Sequence, residues 1–95
     1  INQNTINQKQ DLFYSIQFYS DSDLKNVTNY LEKITTSDET VYKFEDFYIL
    51  ALNSQIGVEY FLLYKNFQKR ENAKDYCANF LPKIDNCLIV DTKKF

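Results

Sequence analysis

Histidine, methionine and tryptophan are absent from this chain of 95 residues, and glycine and proline occur once each. Without histidine there is no imidazole general base, no serine triad and no histidine-containing metal site. One glycine cannot supply the several close backbone approaches to phosphate that a Walker loop or a dinucleotide fingerprint requires. Two cysteines, Cys77 and Cys87, are too few for a structural zinc centre, and their spacing is not that of a C-x-x-C redox pair. At this level they stand as two buried thiols, one disulfide or a mixture of the two. The missing methionine includes the initiator, so a chain opening on Ile1 is expected to be a processed form or a piece of a longer protein. No apolar run approaches a membrane span, so no membrane insertion by this segment is expected. The net charge of −2 and pI near 5 give no basic footprint for nucleic acid or an anionic membrane. Most routes to catalysis are closed, and a non-enzymatic chain with no cofactor and no metal is the expectation.

What is present is a globular composition, 44% apolar and 25% charged, in a length that holds one core. Residues 1–10 (INQNTINQKQ) are polar, without periodicity, and read as a linker or tail leading into a single domain over 11–95. Leu12–Tyr19 alternates as a strand, with Tyr14, Ile16 and Phe18 on one face and Phe13, Ser15 and Gln17 on the other. Ser20-Asp21-Ser22-Asp23 supplies candidate N-caps, and Leu24, Val27, Tyr30, Leu31 and Ile34 then mark one face of a helix ending in Thr35–Glu39. Val41–Leu52 is strand-like but interrupted at Glu45-Asp46, which predicts an irregular strand or a bulge. Asn53–Gly57 reads as a hairpin turn, and Val58–Tyr64 as the return strand, with Tyr60, Leu62 and Tyr64 opposed to Glu59, Phe61 and Leu63. Ala73, Tyr76, Cys77, Phe80 and Leu81 share the face of a second helix that Pro82 ends, and Asn86–Asp91 is a short last strand.

The order β-α-β-β-α-β predicts an α+β two-layer sandwich, RNP- or ferredoxin-like, with a four-stranded antiparallel sheet carrying both helices on one face. A shift of about 46 residues lays Tyr14 on Tyr60, Ile16 on Leu62, Phe18 on Tyr64, Val27 on Ala73 and Tyr30 on Tyr76, the pattern of a pseudo-twofold βαβ pair. RNA-recognition domains use this topology, but they need a basic surface and a glycine-bearing aromatic strand that Val58–Lys65 lacks. Asp46 and Glu59 suggest a glycosidase pair only in isolation, since nothing in the pattern brings them together. The sequon Asn26-Val27-Thr28 falls inside the first helix.

Two segments resemble the SPOR (sporulation-related repeat) family. Tyr14-Ser15-Ile16-Gln17-Phe18-Tyr19-Ser20 resembles its opening strand, typically Val-Gln-x-Gly-Ser-Phe. Tyr64-Lys65-Asn66-Phe67-Gln68-Lys69-Arg70-Glu71-Asn72-Ala73 resembles its Gly-Pro-Phe-x-x-x-Glu-x-Ala segment. The resemblance spans about Leu12 to Asp91. It implies a βαββαβ fold at the end of a flexible linker, a periplasmic or envelope location, and affinity for peptidoglycan glycan strands stripped of stem peptides, usually at division septa. Carried over residue by residue, Gln17 matches the family's glutamine on the exposed sheet face and Ser20 its serine at the strand-helix corner. Phe61 and Glu59 fall near positions that face the ligand. Tyr19 and Lys65 stand where the family commonly has glycine, so these corners are expected to be shaped differently. In an oxidising periplasm, the resemblance also makes a Cys77–Cys87 disulfide one outcome for the cysteines, with two adjacent thiols as the other.

Phe13, Ser15, Phe61, Leu63, Leu88 and Val90 are expected on the outer sheet face with Gln17 and Glu59. A face this apolar needs a cover, from the N-terminal tail or the Val41–Phe47 segment, or else an occupant. The occupants considered are sugar rings, an envelope protein partner or a second copy of the domain. Peptidoglycan binding and a protein-interaction module in an envelope machine are the two functional expectations.

Overall fold

In a computed structural model, the structure describes residues 13–36, 42–80 and 87–94. The predicted tail over 1–10, the end of the second helix at Pro82 and the placement of Leu81 lie outside these residues. The elements run β1 (Tyr14–Asp21), α1 (Leu24–Thr36), a 3-10 turn (Phe44–Asp46), β2 (Phe47–Ser54), β3 (Gly57–Phe67), α2 (Arg70–Phe80), β4 (Leu88–Asp91) and a second 3-10 turn (Thr92–Lys94). The four strands form one antiparallel sheet in the order β2-β3-β1-β4, the ferredoxin-like α+β sandwich expected from the element order. The break at Glu45-Asp46 is not a bulge within a strand. It is a 3-10 turn that precedes β2, and both carboxylates stand in it.

Local chemistry accounts for the boundaries. Asp23 caps α1: its carboxylate accepts the Lys25 N–H at 2.9 Å and its carbonyl accepts the Asn26 N–H at 3.0 Å. Asp21 in turn accepts the Asp23 N–H at 2.8 Å, and this bond, reinforced by the Asn26 amide, holds its carboxyl below the ordinary aspartate range. At the other end, Thr35 and Thr36 turn their hydroxyls back onto the carbonyls of Leu31 and Glu32, both at 2.7 Å. The hairpin turns at Gln55 and Ile56, and Gly57 takes φ +136°, which a side chain would disfavour.

The core lies between the sheet and the helices: Ile16, Leu62, Val27 and Ala73 have no exposed surface, and Leu31, Phe47, Ile49, Tyr64 and Cys77 complete it. The shift of 46 residues seen in the sequence relates these positions in space. Ile16 and Leu62 are equivalent and fully buried, as are Val27 and Ala73, and Leu31 falls on Cys77. The same shift carries the strand pair Tyr14↔Phe67 onto Tyr60↔Asp21. Cys77 and Cys87 form a disulfide with a Cα–Cα distance of 6.3 Å, which ties α2 to the entrance of β4.

Candidate functional site

Two irregularities in the central strand pair decide what the outer face presents. In β1 the register slips between Gln17 and Tyr19, so Phe18 is an extra residue. Phe18 and Tyr19 both pack toward the helices: the Phe18 ring meets Phe47 at 5.1 Å and Tyr64 at 5.2 Å, and Tyr19 stacks on Tyr30 at 4.6 Å. Strict alternation would send Ser20 inward. The bulge instead sets it directly opposite Phe61, on the outer face with Gln17, which pairs with Leu63 on one side and Leu88 on the other. The expected contacts Gln17, Ser20, Glu59 and Phe61 are thus brought onto one face and are half-buried. Phe13 is half-buried at its margin, and Leu88 is 53% exposed.

Ser15 and Leu63 have a different place. Both have 0% exposure, and Leu50 beside them is also buried, so the middle of the face is closed. They form the floor beneath the half-exposed residues and have no surface to offer a ligand. The described part of the segment proposed as a cover lies elsewhere. Tyr42 meets Phe18 edge-on at 5.2 Å, and Phe47 belongs to the core, both on the helix side. The tail, the other proposed cover, falls outside the described residues.

The second irregularity is in β3, where Tyr14 pairs with Phe67 but Ile16 with Tyr64, leaving one extra residue. Lys65 there has φ +56°, the left-handed conformation that costs an L side chain roughly 1 kcal/mol or more. Lys65 is the one non-glycine residue with positive φ among the described residues, in a conformation that ordinarily favours glycine. The Ser15 hydroxyl stabilises the bulge by donating to the Lys65 carbonyl at 2.7 Å, with the Tyr64 carbonyl at 3.2 Å. Tyr48 donates to Asn66 Oδ1 at 2.6 Å across the neighbouring strand. The Lys65 ammonium lies 3.3 Å from Asp46 Oδ2 and 5.6 Å from the Tyr76 ring centroid.

Glu45, Asp46, Tyr48, Lys65, Asn66 and Tyr76 stand on the walls of an open concavity of about 720 Å³. Sequence reasoning did not find it. The available signal was a lysine in a glycine position two residues before Phe67, but its neighbour Asp46 is nineteen residues away in the chain and only the β2–β3 pairing joins them. Asp46 sits at one end of that ladder and Glu59 five residues beyond Tyr64 toward the other, roughly 17 Å along the strand. They are too far apart for a glycosidase pair.

Burial pushes the Tyr48 phenol up to about 12. A phenol raised on folding contributes stability that is whole below pH 10, its unfolded value, and is lost as pH rises toward 12. The stability of the parent relative to Tyr48→Phe is therefore expected to fall by about 2 kcal/mol across that window. Denaturant titrations of both proteins from neutral to alkaline pH measure it, and parallel curves would refute it.

Among the described residues no helix is long and apolar enough to cross a membrane, and no cluster of three or more His, Cys, Asp or Glu is placed to hold a metal. Searches of protein-family models, of curated protein sequences and of solved structures find no match for the chain.

Proposed function

We propose that this domain binds glycan strands of bacterial peptidoglycan on the sheet face opposite the helices, without chemistry of its own. One observation carries the reading: the β1 bulge places Ser20 across from Phe61 and leaves Gln17 on the same face, above a floor of buried Leu63 and Ser15. A sugar needs that combination. An aromatic face covers its C–H surface, an amide offers donor and acceptor together, and a hydroxyl and a carboxylate (Ser20 and Glu59) reach its remaining oxygens. The glycine-like backbone at Lys65 supports the SPOR resemblance on which the ligand class rests. The Cys77–Cys87 disulfide supports an oxidising compartment such as the periplasm.

The test is retention on purified sacculi before and after an amidase removes stem peptides. Retention is expected to rise with denudation, and Gln17→Ala, which removes one or two hydrogen bonds, to weaken it roughly two- to tenfold. Equal retention on both preparations, or none, counts against the proposal. The second reading is a protein-interaction module of an envelope machine using the same face. The exposure of Leu88 and Leu52 at its opposite margins favours it, because apolar rims suit a protein surface better than a sugar.

A further inference from the structure

The sheet has two edges, and they are built differently. β4 is four residues long and runs into a turn carrying Lys93 and Lys94, the short and charged kind of edge that discourages pairing. β2 is eight residues long and pairs with β3 without a slip from Phe47↔Tyr64 to Ser54↔Gly57, so no bulge twists it away. No further strand among the described residues pairs with its other side. From Phe47 through Val58 there is neither charge nor proline, the longest uncharged stretch in a chain that is 25% charged. Ala51 to Ser54 are exposed.

We propose that β2 pairs antiparallel with β2 of a second copy about a two-fold axis at Leu50, joining two four-stranded sheets into one. The outward row of backbone N–H and C=O groups fixes the occupant as a β-strand. The absence of charge points to a second copy. In a two-fold contact each group near the axis meets its own image, so a charge there would repel itself, whereas a different partner would permit charges of opposite sign. With the axis at Leu50, Tyr48 faces Leu52 of the other copy on the outer face, and Ile49 faces Ala51 on the helix side. The ends agree as well. Phe44, 52% exposed, lies six positions before the axis and Ile56, 98% exposed, six after it, so each hairpin tip approaches the other copy's 3-10 turn. This pairing is independent of the ligand on the sheet face.

Sedimentation equilibrium from micromolar to near-millimolar protein is the test, with Leu52→Lys and Ile56→Lys as variants. Both side chains are exposed, so both variants keep the fold, which circular dichroism checks. The parent is expected to dimerise, Leu52→Lys to weaken the association roughly tenfold or more, and Ile56→Lys to weaken it less. Isotope-filtered NOEs are expected between Leu52 methyls of one copy and the Tyr48 ring of the other. A parent that stays monomeric throughout overturns the proposal, even if it captures an unrelated peptide strand. So does a dimer that Leu52→Lys leaves intact or that lacks the Tyr48–Leu52 NOEs.

Discussion

Truncating Leu63 to alanine is expected to cost about 2–5 kcal/mol, as much as truncating Leu62 on the opposite face of the same strand. The two residues are neighbours in β3 and point to opposite sides of the sheet, Leu62 into the helix-covered core and Leu63 away from it. In a sheet covered on one side only, the outward leucine would lose little on truncation, within about 0.5 kcal/mol of the parent. Here both leucines have 0% exposure. Each truncation therefore removes three buried carbons and leaves a void that close-packed neighbours fill only in part. For a domain of this size the loss is a large share of total stability. Denaturant titration of the two variants beside the parent gives the answer, with an unchanged denaturant slope showing that the folded states are comparable. A Leu63→Ala cost below about 1 kcal/mol would show an open face and remove the floor on which the proposed sugar contacts rest.

The fold was readable where the signal is periodic. Alternation in Tyr14–Phe18 and Glu59–Tyr64 assigned both central strands to the correct faces, because each has helices on one side and a different environment on the other. The three-and-four spacing of Leu24, Val27, Leu31 and Ile34 marked α1, and its end at Thr36 followed from threonines that bond back to the helix. The 46-residue shift was visible because core positions of the two βαβ halves carry the same burial demand, although the residues differ.

The candidate site was less legible, and the reason is physical. A bulge is a property of two paired strands, so neither the extra residue at Phe18 nor the one at Lys65 shows in its own strand's pattern. Gln17 and Ser20 were named from resemblance. That they share a face depends on the Phe18 bulge, which reverses the alternation between them. Alternation places Ser15 on the outer face among the candidate contacts, and nothing in its own strand signals that it is buried. Its hydroxyl is spent on the bulge, where the Lys65 carbonyl accepts it at 2.7 Å. Lysine is not a residue that signals a left-handed backbone. Only the pairing with β1 and the contacts of its ammonium with Asp46 and Tyr76 account for its position there.

Removing the disulfide by the double substitution Cys77→Ala, Cys87→Ala is expected to cost about 3 kcal/mol. That is the loop-closure entropy restored to the unfolded chain when a cross-link spanning ten residues is lost. In a small domain this lowers Tm by roughly 10–20 °C. Alanine rather than serine isolates the cross-link, because Cys77 is only 4% exposed and a serine hydroxyl there would be buried in an apolar cluster. The loss is expected to be uneven. β4 has four residues, pairs only with β1, and is held at its entrance by Cys87, so it has the fewest other restraints of any strand. Amide exchange at Leu88–Val90 should accelerate before exchange in β1 or β3, and more than the global loss requires. Because Leu88 flanks Gln17, the same variant should weaken any ligand that bridges β1 and β4 while sparing one held by Phe61 alone. Intact mass with and without reductant establishes the bond first, as a gain of two hydrogens on reduction. An unchanged Tm in the double variant would show that β4 is secured by its ladder with β1 and that the disulfide adds nothing to it.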